Sequence, residues 1–200
     1  IIRKNKDLEN LLDCKCIAED FIPFKNELSI IIARREQGEI KEYPIVEMEF
    51  HKTSNQVEYV ICPARISRDI MSKAKKVALK VSEKYNHIGL LAIEMFLTET
   101  GEILVNEVAP RPHNSGHLTI ESSYTSQFEQ HIRAILNLPL GNSDIIIPGV
   151  MVNLVGKENH AGPVIYKNID QILAIEGVTP HIYGKKQTRP NRKMGHISIV

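Results

Sequence analysis

The sequence predicts an α+β fold, in which antiparallel strands carry helices and a small β-rich domain follows at the C-terminal end. Three observations predict it. Apolar and polar residues alternate over two strand-like stretches before residue 50, an apolar stripe with helical spacing follows residue 67, and short apolar runs broken by proline and glycine follow residue 141. With 42% apolar residues, the 200-residue chain can bury one good core or two small ones.

The first two strands are predicted to form a hairpin. The stretches "ELSIIIARRE" and "EIKEYPIVEME" alternate in a way that suits strands, and Gln37 and Gly38 lie between them. Glycine is typical of the turn that such a hairpin needs.

A helix is predicted to begin after Ser67 and to end before Gly89. Serine is a residue type that caps helix N-termini. The apolar positions that follow recur with helical spacing, so we expect their stripe to face the core: Ile70, Ala74, Val77, Val81 and Tyr85.

A second hairpin and a second helix come next. "GLLAIEMFL" and "ILVNEVA" are typical of apolar strands, and "TETGE" joins them. Ser126 and Glu129 have the spacing of a capping box, which predicts a helix that stops at Pro139 and Gly141.

The pattern of apolar and turn-forming residues changes after Gly141, which predicts two domains. Residues 1–144 hold the strands and helices described so far. Residues 145–200 form the small β-rich domain, because their short apolar runs are interrupted by Pro148, Gly149, Gly156, Gly162 and Pro163.

Composition excludes several classes of function. The 25 lysines and arginines nearly balance 24 aspartates and glutamates, so a net charge of +1 provides no global field for a nucleic acid or an anionic membrane. No apolar run approaches the roughly 20 residues of a membrane-spanning helix, and "IIRKNKDLEN" lacks the apolar core of a signal peptide. The three cysteines show no CxxC spacing, which favours a reducing cytoplasm over a disulfide framework or a structural zinc site.

Both ends of the chain look cut. It opens without an initiator methionine and stops within the apolar run "GHISIV". We therefore expect a fragment of a longer protein.

Glu94 and Glu107 are the strongest chemical signal. If the hairpin turn centres between Thr100 and Gly101, the antiparallel register places the two glutamates opposite each other. Opposed residues have Cβ atoms about 4.5–5.5 Å apart, where like charges are destabilising. Each glutamate also interrupts an apolar strand, so we expect both to point toward a partly buried region, where an unpaired carboxylate is costly. A divalent cation removes both costs, and oxygen ligands favour Mg²⁺. The alternative is two solvated glutamates on an open sheet face, or a register that separates them.

The loop "NEVAPRPHNSGH", residues 106–117, combines groups suited to anion binding. Pro110 and Pro112 fix the backbone, and Arg111 offers a planar fork for a carboxylate or phosphate. Amides and hydroxyls for an anion come from Asn114, Ser115 and Gly116. The alternative is a rigid turn whose polar groups satisfy only its own backbone.

Zinc binding by the same loop is a weaker interpretation. His113 and His117 are four residues apart, which on a helix places both on one face. Pro112 and Gly116 argue against a regular helix there.

The stretch "IAEDFIPFKNELS" is a candidate nucleotide site. Glu19 and Glu27 lie on either side of an apolar segment with Phe21, Ile22 and Phe24. An adenine fits an apolar slot with backbone donors and acceptors, and a carboxylate can accept from ribose hydroxyls. A buried strand with solvated ends is the alternative.

Positive charge concentrates in "KKQTRPNRKMGH", and no acidic residue lies between 177 and 200. The cations are Lys185, Lys186, Arg189, Arg192 and Lys193. A solvated basic face is the usual meaning, and a compact phosphate site for a small ligand is the alternative. The interleaved aromatic residues of a single-strand nucleic-acid platform are missing.

Together these stretches resemble the carboxyaminoimidazole ribonucleotide synthetase family of ATP-grasp enzymes in purine biosynthesis. "NEVAPRPHNSGH" followed by "TSQFEQHIRAILNLPLG" is similar to the most specific stretch of that family, and "EDFIPFKNELS", "GLLAIEMF" and "RPNRKMGH" match in order around it. The resemblance covers essentially the whole chain. It implies the second half of the ATP-grasp nucleotide-binding region plus a small C-terminal domain.

The resemblance implies an ATP-dependent carbon–nitrogen ligase. ATP would phosphorylate bicarbonate to carboxyphosphate, and the exocyclic amine of 5-aminoimidazole ribonucleotide would capture the carboxyl group or CO₂ released from it. Mg²⁺ is the implied metal, with Mn²⁺ as a substitute, and the implied assembly is a cytoplasmic homodimer without nucleic acid or membrane. The family's N-terminal part, which includes a nucleotide-contacting lysine, is not in this chain, so we expect the chain alone to be inactive.

The resemblance also assigns residues to the ATP side of the site. Glu94 and Glu107 match the family's metal ligands, and Asn106 lies beside them. The implied contacts to adenine and ribose are Glu19 and Glu27, with the backbone near Phe21 and Ile22 lining the base.

On the acceptor side, the resemblance implies a loop that faces bicarbonate and the imidazole substrate, formed by Arg111, His113 and Asn114. Lys185 and Arg192 match cations on the ribonucleotide phosphate.

One departure from the family concerns Met48. Family members tend to have Glu-Asn after "YPxx", where this chain has Glu47-Met48-Glu49, so any substrate contact from that asparagine is lost or supplied elsewhere.

Two other functions stay open. A different ATP-grasp carboxylase or ligase would keep the glutamate pair but would have no reason to carry "HNSGH" and "RKMGH" together. A non-catalytic anion-binding module would need neither.

Overall fold

The computed structural model describes residue 2 and residues 5–10, 13–51 and 56–200. The stretch "IIRKNKDLEN", in which the sequence predicts no signal peptide, lies partly outside these residues. Among the described helices, none combines the length and apolar character needed to cross a membrane.

The described residues form eleven strands and four α-helices. The strands are β1 (Asn26–Arg34), β2 (Ile40–Glu42), β3 (Val46–Phe50), β4 (Val57–Cys62), β5 (Gly89–Leu97), β6 (Ile103–Ala109), β7 (Gly149–Val155), β8 (Gly162–Pro163), β9 (Val178–Ile182), β10 (Gln187–Thr188) and β11 (Lys193–Ile199). The helices are α1 (Arg68–Tyr85), α2 (Thr119–Ser122), α3 (Gln127–Ile135) and α4 (Ile169–Leu173), and short 3₁₀ turns span Asn5–Asn10 and Asn114–Gly116.

Nine strands of the described part form one sheet. Its order is β6-β5-β1-β3-β4-β7-β11-β9, with β2 paired to β1 beside this path, while β10 and β8 form a separate pair. Every pairing is antiparallel. The predicted α+β fold with an antiparallel sheet and helices is therefore confirmed.

The sheet continues from the predicted domain 1–144 into the predicted domain 145–200. Strand β4 pairs with β7, and this pairing places Cys62 opposite Gly149. Residues of the C-terminal part therefore extend the same sheet. The boundary at residue 144 stays a prediction.

The first hairpin forms as predicted around Gly38. The Gly38 N–H donates to the Arg35 carbonyl at 2.9 Å, and its φ of 86° is one that glycine adopts without strain. The return strand is split into β2 and β3 because Pro44, which has no N–H to donate, lies between them.

Helix α1 begins and ends where the sequence predicts. Ser67 Oγ accepts from the Ile70 N–H at 3.3 Å, and Asn86 ends the helix in the left-handed conformation. Ala74 is fully buried, whereas Tyr85 is 60% exposed, so the extension of the apolar stripe to Tyr85 was wrong. Fifteen residues at 3.6 per turn rotate Tyr85 about 60° away from Ile70.

Helix α3 opens as predicted but is shorter. Ser126 Oγ accepts from the Glu129 N–H at 3.2 Å, while the Glu129 carboxylate pairs with Arg133 at 2.6 Å. The helix ends at Ile135 and does not reach Pro139 or Gly141, because Asn137 takes a left-handed φ of 56°.

A stack of histidine rings joins the loop after β6 to the C-terminal strands. The His117 and His196 rings lie 4.8 Å apart between centroids, and His196 and His181 lie 4.5 Å apart. Tyr183 Oη lies 2.9 Å from His196 Nδ1, and His181 Nε2 lies 2.7 Å from Glu121 Oε1. Burial, then the neighbouring His117 and His181, lowers the pKa of His196 to about 4, against a smaller opposite effect of Glu121.

His196→Phe should reduce the loss of stability in acid. The pKa of His196 is near 6.5 in the unfolded chain and near 4 in the folded protein. Between these two pH values the unfolded state binds more protons than the folded state, so the free energy of unfolding falls as the pH drops from 6.5 to 4. Phenylalanine keeps a ring in the stack and takes up no proton. We expect the acid-induced loss to shrink by about 1–3 kcal/mol, measured by urea unfolding of the full-length protein between pH 7.5 and 4.5. His160→Phe, at an exposed position outside the stack, is the matched control. An unchanged pH dependence in His196→Phe would contradict this account.

Candidate active site

Glu94 and Glu107 lie directly opposite each other on β5 and β6, as the sequence predicts. The turn position that produces this register differs from the predicted one. Leu97 lies opposite Ile103, so the turn centres on Thr100, and a bulge then shifts the register after Met95 pairs with Val105. Asn106 is the extra residue of that bulge, and it restores the opposition of the two glutamates.

The two carboxylates differ in burial. The Glu94 side chain is 13% exposed, whereas Glu107 is exposed. The expectation that both point toward a partly buried region was therefore wrong for Glu107, because β6 is the edge strand of the sheet. Burial, and then Glu107, raises the pKa of Glu94 to about 7, while Lys193 and Arg111 act in the opposite direction.

Glu27 brings a third carboxylate to the same face. Ser29 lies opposite Glu94, and Glu27, two residues away on β1, points to the same side. Burial, and then Glu94, raises the pKa of Glu27 to about 7, against a hydrogen bond from Asn106 that lowers it. Three acidic groups therefore converge, and their repulsion favours a bound cation.

His113 completes the cluster. Its Nε2 lies 3.4 Å from Glu94 Oε1, and the ligand atoms of Glu94, Glu107 and His113 all lie within 4.8 Å of one another. The Ser115 N–H donates to His113 Nδ1 at 3.4 Å, which places the proton of the neutral ring on Nε2, facing Glu94. Burial, then Arg111 and Lys193, lowers the pKa of His113 to about 4, so the ring is neutral at pH 7.

The donor set fits a hard divalent cation. Carboxylate oxygens suit Mg²⁺ and Mn²⁺, and Glu94 and Glu107 could hold either ion in the space between them. His113 offers an N–H to Glu94 in its present tautomer, so it supports that carboxylate. The His117 ring turns away to the histidine stack, and the residues between His113 and His117 form a 3₁₀ turn.

The loop of residues 106–117, called the anion loop, is held by hydrogen bonds from three elements. Ser115 Oγ lies 2.8 Å from Ser29 Oγ on β1. The side-chain amides of Asn114 and Asn153, on β7, bond reciprocally at 2.9 Å in both directions. Lys193, at the start of β11, donates to Asn114 Oδ1 at 3.2 Å.

Sequence reasoning missed Asn153 as a site residue, and it named Lys193 only among the cations of the basic stretch. Lys193 lies in the basic stretch, but β11 reaches the loop only through its pairing with β7. Burial lowers the pKa of Lys193, and Glu94 raises it. The sequence signal for Lys193 was its position directly before the apolar run of β11.

The remaining cations that the resemblance assigns to the site each donate to a backbone carbonyl. Arg111 is exposed and donates to its neighbour's carbonyl, that of Pro112, at 3.0 Å. Lys185 donates to the Lys193 carbonyl and lies 5.6 Å above the Tyr183 ring. Arg192 donates to the Gln187 carbonyl at 2.8 Å, so a joint role with Lys185 stays a prediction.

A cleft of about 1080 Å³ brings together the residues predicted to contact nucleotide and metal: Glu19, Phe21, Ile22, Glu27, Glu94, Asn106 and Glu107. Part of its wall is apolar, with the rings of Phe24 and Phe96 stacked at 4.6 Å. The segment 17–24 has no regular secondary structure, so the alternative of a buried strand there was wrong. The volume and lining suit a ligand with one flat apolar part and one charged part.

Met48 and Arg65 also line this cleft. Met48 is buried and lies opposite Glu27. The position at which this chain has methionine in place of the family's asparagine is therefore next to the predicted ribose contact. Arg65, which sequence reasoning missed, donates to both carboxylate oxygens of Glu47 at 3.1 and 2.8 Å and thereby lowers the pKa of Glu47. Arg65 also pairs with Glu49, so two carboxylates neutralise its guanidinium at the cleft wall.

Two family models match the chain. One describes an ATP-grasp domain and matches residues 1–128. The other describes the phosphoribosylaminoimidazole carboxylase C-terminal domain and matches residues 149–200.

Relatives in other organisms match nearly the whole chain. It is 48% identical over 185 residues to N5-carboxyaminoimidazole ribonucleotide synthase of Bacillus subtilis, covering 92% of this chain and 47% of the relative. It is 41% identical over 207 residues to phosphoribosylaminoimidazole carboxylase of Saccharomyces cerevisiae, covering 98% of this chain and 36% of the relative. The chain therefore spans about half, or less, of the length of these relatives.

Solved structures share its fold. N5-carboxyaminoimidazole ribonucleotide synthetase from Thermotoga maritima superposes with a TM-score of 0.90 at 51% identity, covering 100% of this chain and 53% of that one. N5-carboxyaminoimidazole synthase from Aspergillus clavatus, crystallised with ADP and 5-aminoimidazole ribonucleotide, has a TM-score of 0.85 at 36% identity, covering 98% and 52%.

Glu107→Gln should weaken divalent-cation binding without harming the fold. The change removes one negative charge from the pair and relieves the repulsion on Glu94, so the metal-free melting temperature should be equal or slightly higher. We expect Mn²⁺ affinity of the full-length protein to fall by at least about tenfold, measured by electron paramagnetic resonance of free Mn²⁺. Glu99→Gln, an exposed glutamate in the turn of the same hairpin, is the control. Equal Mn²⁺ affinity in the two variants would rule out the metal assignment.

Proposed function

This chain belongs to the ATP-grasp family, and we propose that it takes part in the ATP- and bicarbonate-dependent carboxylation of the exocyclic amine of 5-aminoimidazole ribonucleotide. The resemblance to carboxyaminoimidazole ribonucleotide synthetases is confirmed by the relatives and structures it matches. The observation that carries the proposal is the opposed pair of Glu94 and Glu107 at the cleft, with His113 beside Glu94. The reaction would belong to de novo purine biosynthesis.

ATP is proposed to lie in the cleft with its base among the apolar residues. The contacts to adenine and ribose would come from Glu19, Glu27 and the backbone near Phe21 and Ile22, which all line the cleft, as does Asn106. Glu94 and Glu107 would hold Mg²⁺ or Mn²⁺, and the bound ion would supply positive charge against the negative charge that develops during phosphoryl transfer.

Bicarbonate is proposed to meet the γ-phosphate at the loop of Arg111, His113 and Asn114. A bicarbonate oxygen attacks the γ-phosphorus, ADP leaves, and carboxyphosphate forms. Arg111 and Lys193 supply positive charge to these anions, and both already act on the pKa of Glu94 and of His113. The neutral His113 ring turns its N–H to Glu94 and so holds that carboxylate beside these anions.

The amine nitrogen of the ribonucleotide then attacks the carboxyl carbon, or the CO₂ released from carboxyphosphate. A new C–N bond forms, inorganic phosphate leaves, and the amine loses one proton. Lys185 and Arg192 are proposed to hold the ribonucleotide's own phosphate at the C-terminal strands. The contact of Lys185 with the Lys193 backbone supports a position near the loop.

We further propose a homodimer located in the cytoplasm, without nucleic acid or membrane as a partner. The family resemblance supports the dimer, and the net charge of +1 speaks against a polyanionic partner. One relative, from Vigna aconitifolia, is named as chloroplastic, so location varies among relatives.

Two other functions compete with this proposal. A different ATP-grasp ligase would use the same cleft and glutamate pair, but it would not account for a match to the phosphoribosylaminoimidazole carboxylase C-terminal domain. A non-catalytic anion-binding module would not account for the carboxylates of Glu27, Glu94 and Glu107 at the cleft, because carboxylates repel an anion.

Steady-state assays of the full-length protein test the function. We expect ADP formation to require bicarbonate and to rise when 5-aminoimidazole ribonucleotide is added, with a carboxylated ribonucleotide as the product. ADP formation that responds to a different amine acceptor would favour another ligase. Nucleotide binding without any hydrolysis would favour the binding module.

Arg192→Lys should raise the KM for the ribonucleotide while the KM for ATP stays constant. Lysine keeps the charge but loses the planar fork that matches a phosphate. Outright removal in Arg192→Ala should cost about 2–5 kcal/mol if the partner charge is left desolvated. Arg189→Lys, an exposed arginine in the same basic stretch, is the control. Equal effects on both substrates, or none on either, would show that Arg192 does not bind the ribonucleotide phosphate.

A further inference from the structure

Gln127 is a fully buried polar side chain at the start of α3, directly beneath the anion loop. Its Oε1 lies 2.8 Å from the backbone nitrogen of His113, and its Nε2 lies 2.8 Å from the backbone oxygen of the same residue. Nε2 also lies 2.9 Å from Nδ1 of His117. One amide therefore contacts two histidines of the loop.

The backbone of His113 fixes the orientation of this amide. A backbone N–H only donates and a carbonyl only accepts, so Oε1 must face the N–H and Nε2 must face the carbonyl. The second N–H of Nε2 then donates to His117 Nδ1, which must carry a lone pair. A neutral His117 therefore has its proton on Nε2. Burial, then His113, Lys193 and His181, lowers the pKa of His117 to about 4, which agrees with a neutral ring.

The loop packs too tightly around Gln127 to shift freely. A Cβ atom on Gly116 would lie 2.3 Å from Ile31 Cδ1 and 2.7 Å from Gln127 Oε1. The Gln127 N–H donates to Thr119 Oγ1 at 2.9 Å, and Thr119 Oγ1 donates to the Gly116 carbonyl at 2.6 Å. The loop thus closes on Gln127 through its backbone as well as through His113.

We propose that Gln127 is a positioning residue, which fixes the His113 backbone so that the ring faces Glu94 and holds His117 as its Nε2–H tautomer in the histidine stack. The part that concerns catalysis rests on the function proposed above, because it assumes that His113 acts on bicarbonate. The part that concerns the His117 tautomer rests only on the hydrogen bonds.

Gln130 provides a matched control within the same helix. It is also fully buried, and its amide makes the same pair of backbone bonds, accepting from the Gly141 N–H at 2.8 Å and donating to the Gly141 carbonyl at 2.9 Å. Gly141 lies after α3, outside the anion loop. Loss of this amide should destabilise the fold as loss of the Gln127 amide does, without displacing His113.

The experiment compares Gln127→Glu with Gln130→Glu in the full-length protein. In Gln127→Glu, one oxygen still accepts from the His113 N–H, but the other faces two acceptors. An ionised carboxylate is satisfied there only if His117 takes a proton on Nδ1, and a protonated one can donate to only one of the two acceptors. Nitrogen-15 NMR of histidine-labelled protein should show His117 leaving the Nε2–H form. We expect kcat to fall about 10- to 100-fold, with the KM for ATP little changed. Gln130→Glu should keep the wild-type His117 signals and kcat.

Several results would overturn the proposal. The first is an Nδ1–H tautomer of His117 in the unmodified protein. This measurement needs no variant, so it tests the proposal even if Gln127→Glu does not fold. Equal falls in kcat for the two variants would reduce Gln127 to a structural role. If the unmodified protein shows no bicarbonate-dependent turnover, the proposed function is wrong. The tautomer of His117 then still tests whether Gln127 donates to His117 Nδ1.

Discussion

The opposition of Glu94 and Glu107 is the constraint around which the described structure is arranged. Burial of Glu94, and then repulsion from Glu107 on the paired strand, raises the pKa of Glu94 to about 7. A fold keeps such a pair only where something else compensates for it. Here the compensation is local, since Lys193 and Arg111 act on Glu94 and His113 turns an N–H toward it.

This compensation depends on residues that are distant in the chain. The loop that carries His113 and Arg111 follows β6, but it is held by β1 through Ser29, by β7 through Asn153 and by β11 through Lys193. Strands β7 and β11 belong to the C-terminal part of the sheet. Side chains from both parts of the chain therefore hold the loop beside the glutamate pair, which explains how one site can use residues from two family models.

The sequence predicted the local parts of this arrangement well. Both hairpins, the cap at Ser67 and the cap at Ser126 depend on neighbours within a few residues, so residue type and spacing indicate them. The register of Glu94 and Glu107 was also predicted, although the turn lies elsewhere and the bulge at Asn106 corrects it. Period-two alternation identifies the face of a strand, but it does not reveal a bulge.

The long-range parts could not be predicted from spacing. Lys193, Asn153 and Arg65 reach the site through pairings among β3, β4, β7 and β11, which spacing along the sequence does not reveal. The exposure of Glu107 was missed for the same reason, because it follows from the position of β6 at the edge of the sheet. Motif resemblance identified the loop residues without showing what holds them.

The edge position of β6 reconciles a buried charge with an accessible site. Edge strands expose unpaired backbone groups, and charged side chains and bulges are the usual means of keeping other strands from pairing there. Glu107 and the bulge at Asn106 provide both, and the same two features create the opposition to Glu94. Glu94, on the inner strand, is held by its neighbours, while Glu107 stays open to the cleft and to solvent. Under the proposed function, Glu94 would fix the position of a cation, and Glu107 would leave a path by which the cation and a phosphate-bearing ligand can reach it.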